Sequence, residues 1–180
     1  MTTPPIHVFD FDGTIANTEP LHWKTHQQLL SDYGVTLTEQ HIQSYIGKND
    51  FQIFSAMEKD FNIPLGDKKE LKEKRLKLFL DLIHKVNLKP FPNIVTDIKE
   101  NEENYILSSQ AKFVVEQLLS EWNLLKYFKS IISLENSNQS KLDVIRTIGK
   151  KENIVWYEDN IPLVNKAQRL GYSMVLVKTI

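Results

Sequence analysis

The sequence predicts an α/β protein, a parallel sheet core with an inserted α-helical cap domain. Three observations carry this. Short apolar, β-rich runs recur along the chain. Helical stretches alternate with the later runs. One long gap after the first run holds helical patterns alone. The runs are "IHVFDF" (6–11), "NYILSS" (104–109), "SIISL" (130–134), "NIVWYED" (153–159) and "YSMVLV" (172–177). Each is close to continuously apolar, as strands buried on both faces require.

The elements follow in order. After the first run come helical stretches at 19–33, 38–45, 50–61 and 67–86. The longest, "DKKELKEKRLKLFLDLIHKV", places Leu71, Leu78, Leu82 and Val86 at helical spacing. Its other face is Lys, Glu and Arg, so Arg75 and its lysine neighbours read first as a solvated face. Trp23, Phe51, Phe54 and Phe61 read as the apolar core of this insert. "LKPFPN" (88–93) reads as the return linker, stiffened by Pro90 and Pro92. The outgoing linker falls near Ile15–Thr18. The expected division is therefore a core of 1–16 and 89–180 with a cap of 17–88.

Beyond the second run, "AKFVVEQLLSEW" has a helical stripe at Val114, Val115, Leu118, Leu119 and Trp122. "SKLDVIRTIGK" carries Leu142, Ile145 and Ile148, with Gly149 as a stop signal. "NIPLVNKAQRLGY" carries Leu163, Val164, Ala167 and Leu170, closed by Gly171. Such alternation implies parallel strands with right-handed crossovers.

Composition narrows the partners. The formal net charge of −1 offers no global field for nucleic acid or an anionic membrane, so attraction for an anionic substrate has to be local. With no cysteine, disulfides, thiolate catalysis and Cys-ligated metal are excluded. No apolar stretch approaches the ~20 residues that span a bilayer. The N-terminus does not read as a signal peptide, so a cytoplasmic location and a monomer or weak dimer are expected.

In open parallel sheets, ligands bind beyond the carboxyl ends of the strands. There the chain carries Asp10-Phe11-Asp12-Gly13-Thr14, Ser108-Ser109, Glu158-Asp159 and, opening a helix, Lys141. Each has a chemical use. Asp10 and Asp159 can hold Mg²⁺, which favours a few hard oxygen ligands. Asp10 can act as a nucleophile and form an aspartyl-phosphate. Asp12 can protonate the leaving oxygen and then deprotonate water, given a turn at Gly13. Ser108, its neighbour Ser109 and Lys141 can bind phosphoryl oxygens.

"DFDGT", "ILSS", "SKLD" and "WYEDN" together resemble the four signature motifs of the haloacid dehalogenase superfamily of phosphotransferases. The resemblance implies a Rossmann-like core, Mg²⁺ as cofactor, Asp10 as nucleophile and Asp12 as general acid/base. It also implies the Asp12 backbone carbonyl and Asp159 as metal ligands, with Glu158 second to the ion or water-mediated. The helical insert resembles that of the helical-cap, β-phosphoglucomutase-like subgroup, where Thr18 and His22 match positions near the site entrance. "YIGKND" matches a loop that dips toward the site, making Gly47 and Lys48 substrate candidates. Arg75 is a further candidate, for a distal anion.

Three departures stand out. Asn17 replaces a common Asp, Lys141 lacks its usual flanking glycine and proline, and Ile161-Pro162-Leu163 replaces small residues. The reading that results is a Mg²⁺-dependent phosphohydrolase of a small phosphorylated metabolite. Its alternatives are a sugar-phosphate mutase and a non-catalytic phosphate-binding relative.

Overall fold

The computed structural model describes residues 4–45 and 48–178. The chain forms two compact units, one comprising residues up to Asn17 together with Leu88 onward, the other Thr18–Asn87.

The second unit is helical: α1 (Glu19–Ser31), α2 (Glu39–Tyr45), α3 (Asp50–Phe61) and α4 (Lys68–Val86). Leu29, Leu30, Tyr45, Ile53, Phe54, Met57 and Leu65 form its core, with Trp23, Phe61, Leu71 and Leu78 packed against it. Phe51 departs from the expectation that it joins this core, since it is 42% exposed. The helix starts are chemically specified. Asn49 caps α3 in a reciprocal box with Gln52, and Asp67 accepts the Lys69 and Glu70 N–H groups that open α4. Each such cap satisfies backbone donors that the helix itself cannot pair.

The first unit is the α/β one. Its strands β1 (Ile6–Phe9), β2 (Asn104–Ser108), β3 (Phe128–Ser133), β4 (Ile154–Glu158) and β5 (Ser173–Leu176) pair in parallel in the order β3-β2-β1-β4-β5. Helices α5 (Pro92–Glu100), α6 (Lys112–Glu121), α7 (Lys141–Ile148) and α8 (Ile161–Arg169) complete it. Strand order grows from β1 through β2 to β3 on one side, then resumes with β4 on the other. The β1/β4 boundary is thus a topological switch point, where the strand ends of such sheets open a crevice.

The central strands β1, β2 and β4 are buried on both faces. One core cluster gathers Val8, Leu107, Leu142, Ile145, Ile154, Trp156 and Ala167. Elsewhere Phe9 stacks on Tyr157 at 4.2 Å and meets Phe128 edge-on at 6.0 Å. Such aromatic pairs contribute about 0.5–1.5 kcal/mol beyond area burial.

One local reading is corrected. The return linker stops at Phe91, because Pro92 opens α5 rather than extending a loop. A proline at the first helical position loses no useful N–H, and Ile94 and Ile98, one turn apart, are buried. Gly149 stands directly past the end of α7, where the stop signal places it, in an extended conformation with φ −177°. A Cβ there would lie 2.6 Å from Ile6 Cδ1, the movable end of that side chain.

The chain leaves and rejoins the α/β unit at neighbouring points. The Phe91 N–H donates to the Ile15 carbonyl at 2.8 Å. Both Ile15 and Ala16 are fully buried.

Candidate active site

Just past β1, the Asp10 N–H still donates to the Tyr157 carbonyl at 3.0 Å, which fixes its backbone at the switch point. The chain then turns sharply. The Ile15 N–H donates to the Phe11 carbonyl and the Gly13 N–H to the Ala16 carbonyl, both at 2.9 Å. Gly13 sits at φ +72°, and a Cβ there would fall upon Asp159 Oδ2, 2.6 Å from Asp159 Cγ. Glycine is therefore required twice, for its backbone conformation and to admit the Asp159 carboxylate.

Asp10, Glu158 and Asp159 each offer a carboxylate oxygen, and these oxygens lie within 4.8 Å of one another. Lys141 Nζ stands 2.8 Å from Asp10 Oδ1 and 2.8 Å from Glu158 Oε2. Burial opposes the lysine charge, yet Asp10 and Glu158 outweigh it and hold the Lys141 pKa above the ordinary value. Glu158 is fully buried. Desolvation, then repulsion from Asp10, pushes its carboxyl up to about 8, although Lys141 and the Asn160 N–H pull it down. Burial and Asp10 likewise raise Asp159.

One ammonium against three crowded carboxylates leaves a surplus of negative charge in a poorly hydrated place. This donor set fits a hard divalent cation such as Mg²⁺, because carboxylate oxygens are its preferred ligands.

Two departures in the motifs have local substitutes. Ser140, with extended backbone, forms a reciprocal cap with Asp143 and so places Lys141 at the first position of α7 without the usual glycine and proline. Asn160 caps α8 through the Leu163 N–H at 3.0 Å, with Pro162 in the first turn.

Asp12 is held from another direction. Gln110 Nε2 lies 3.3 Å from Asp12 Oδ1 and 3.3 Å from Oδ2. Ser108 is buried at the end of β2, and its Oγ accepts the Gln110 N–H at 3.1 Å. Ser109 lies exposed on the bend beyond it. Gln110 escaped the sequence reading, which stopped at the two serines. Its position two residues past a rim serine was the available signal.

Asp10, Asp12, Ser108, Lys141, Glu158 and Asp159 thus all belong to the α/β unit. Thr18, His22, Lys48 and Arg75 belong to the helical one, and Gly47 lies outside the described residues. Thr18 is buried at the start of α1. Lys48 is exposed and donates to the Ser44 carbonyl at 2.6 Å. Arg75 corrects the expectation of a solvated helix face, being 4% exposed. Its Nε and Nη2 donate to Asp50 Oδ2 at 3.0 and 2.8 Å, and Nη1 lies 3.1 Å from His22 Nδ1. His22 in turn stacks on Phe79 at 4.1 Å. His22 and Arg75 are engaged with each other and with Asp50 inside the helical unit.

A sequence profile of the haloacid dehalogenase-like hydrolases matches residues 7–177, and the chain belongs to that family. That match makes it a member of a family of hydrolases. Among curated proteins it is 24% identical over 134 residues to the fructose-1-phosphate phosphatase YqaB of Escherichia coli K12, covering 74% of this chain and 71% of that one. Solved structures share the fold. CbbY from Rhodobacter sphaeroides, in complex with phosphate, superposes with TM-score 0.78 at 16% identity, covering 99% of this chain and 88% of its own. β-Phosphoglucomutase from Clostridium difficile gives 0.76 at 17% identity, covering 98% and 86%. Among the described residues, no helix is long and apolar enough to cross a membrane.

Proposed function

We propose that the protein is a Mg²⁺-dependent phosphohydrolase of a small phosphorylated metabolite, acting through an aspartyl-phosphate on Asp10. The observation that carries this reading is the shared pocket of Asp10, Glu158 and Asp159 with Lys141 bridging two of them. Asp10, Glu158, Asp159 and the Asp12 carbonyl would hold the ion. Bound there, the cation supplies the charge neutralisation that lets an anionic carboxylate approach an anionic phosphoryl group.

In the first step an Asp10 oxygen bonds to phosphorus as the bond from phosphorus to the leaving oxygen breaks, and Asp12 gives that oxygen its proton. In the second, Asp12 takes a proton from water while the water oxygen bonds to phosphorus and the Asp10–phosphorus bond breaks. Lys141 and Ser108 bind the phosphoryl oxygens whose charge changes on the way. The helical unit, Thr18–Asn87, acts as the cap that excludes bulk water and selects the substrate. The fructose-1-phosphate phosphatase relative supports a sugar phosphate as substrate.

The test is a panel of sugar phosphates assayed for inorganic phosphate, with Mg²⁺ and with chelator. Metal-dependent release that Asp10→Asn abolishes is the expected result. Isomer interconversion primed by a bisphosphate, without net release, would overturn hydrolysis in favour of a mutase. A folded protein that turns over no ester would overturn catalysis on this panel.

A further inference from the structure

Gln110 is 4% exposed and connected at every polar atom of its amide. Its Oε1 accepts the Ala111 N–H at 2.9 Å, which leaves Nε2, the donor, facing Asp12. Nε2 lies 3.3 Å from each Asp12 oxygen, so it straddles the carboxylate rather than favouring one side. The backbone beneath is tied to two strand ends. The Gln110 N–H donates to Ser108 Oγ at 3.1 Å, and the Gln110 carbonyl accepts the Ser133 hydroxyl at 2.7 Å. The crossbar is therefore stiff, whereas Asp12 lies within the turn from Phe11 to Ile15 and has a terminal torsion with broad preferences.

We propose that Gln110 is a positioning residue that orients the Asp12 carboxyl for proton transfer. The inference rests on the acid/base reading of Asp12. A neutral amide suits the task better than a cation would. A lysine in its place would hold Asp12 as an anion and oppose its protonated form. An amide donor can serve an oxygen of the carboxyl in either protonation state, and the plane is kept while the proton comes and goes. Geometry of this kind governs general acid catalysis as much as acidity does.

The test is the dependence of kcat/KM on the leaving group, with 4-nitrophenyl phosphate and phenyl phosphate as probes, both with Mg²⁺. The nitrophenolate leaves with little help, whereas phenolate needs the proton. Gln110→Met removes the donor at similar length. It should lose about tenfold more activity on phenyl phosphate than on the nitrophenyl ester, a partial form of the full 10²–10⁴ that a general acid supplies. Gln110→Asn keeps the amide but draws it out of reach, and should show the same selective loss if the methionine variant fails to fold. Asp12→Asn, run alongside, should show the largest discrimination. If Asp12→Asn discriminates while the Gln110 variants lose equally on both esters, or lose nothing, the positioning role is overturned and the reading of Asp12 stands. If Asp12→Asn does not discriminate either, the acid/base assignment falls, and the role of Gln110 with it.

Discussion

Lys141 Nζ lies 2.8 Å from Glu158 Oε2, joining the first residue of α7 to a fully buried carboxyl at the end of β4. The lysine also reaches Asp10, so its removal exposes two acids to each other. Lys141→Met should therefore lower kcat/KM for phosphate release by about 10²–10³, the scale for deleting one preorganised charge-stabilising donor. Steady-state kinetics with circular dichroism of the same preparations checks this. A folded variant within a few-fold of wild type would remove Lys141 from the reaction.

Gly13 and Asp159 share one volume. Gly13→Ala meets both a left-handed φ of +72° and the Asp159 carboxylate. It should cost about 1–3 kcal/mol through backbone strain alone and should weaken Mg²⁺ binding as Asp159 is displaced. Adding Asp159→Ala should recover the part of the stability owed to the collision while leaving the protein inactive. Thermal melts, and a Mg²⁺ titration by calorimetry, separate the two effects.

Inside the helical unit, Arg75 and Asp50 form a buried pair whose side chains are 5% and 14% exposed. Arg75→Met strands the Asp50 carboxylate, and breaking such pairs on one side costs about 3–5 kcal/mol. The double variant Asp50→Leu/Arg75→Met should be more stable than Arg75→Met alone. Denaturant unfolding of the four proteins gives the coupling. A large rise in KM with no loss of stability in Arg75→Met would return Arg75 to the substrate.

His26 should make the fold sensitive to acid. Burial, then Arg75 and His22, hold its pKa well below the ordinary 6.5, although Asp50 Oδ1 lies 3.9 Å from Nε2. The folded protein thus keeps His26 neutral where the unfolded chain protonates it. Stability is unaffected by this group above 6.5 and falls as pH drops below that value toward the folded pKa. The steepest slope is about 1.4 kcal/mol per pH unit. His7, also lowered by burial, adds to the same trend. His26→Gln should flatten the curve of unfolding free energy between pH 6.5 and about 5.

What the sequence disclosed tracks how strongly burial constrains it. Strands covered on both faces leave little choice but continuous apolar residues, so β1, β2 and β4 were legible. Helix α5 was not, because Pro90 and Pro92 read as a linker before the Ile94/Ile98 pair could be weighed. Arg75 reads as solvated because lysines surround it in sequence, and only folding brings it to Asp50. The acids and Lys141 stood out because charges at apolar strand ends are costly without a purpose. Gln110 carries no charge. Its meaning comes from Asp12, remote in the chain and brought near only by the sheet.

The bond from the Phe91 N–H to the Ile15 carbonyl has an evolutionary corollary. Because both ends of the excursion meet at one doorway, the sheet registers everything between them as a single loop. The entropy of closing a loop grows only logarithmically with its length. An insert that brings its own core can therefore be lengthened, trimmed or exchanged for another without disturbing strand pairing. On the role proposed for the helical unit, substrate choice can then change while the reacting groups stay where they are.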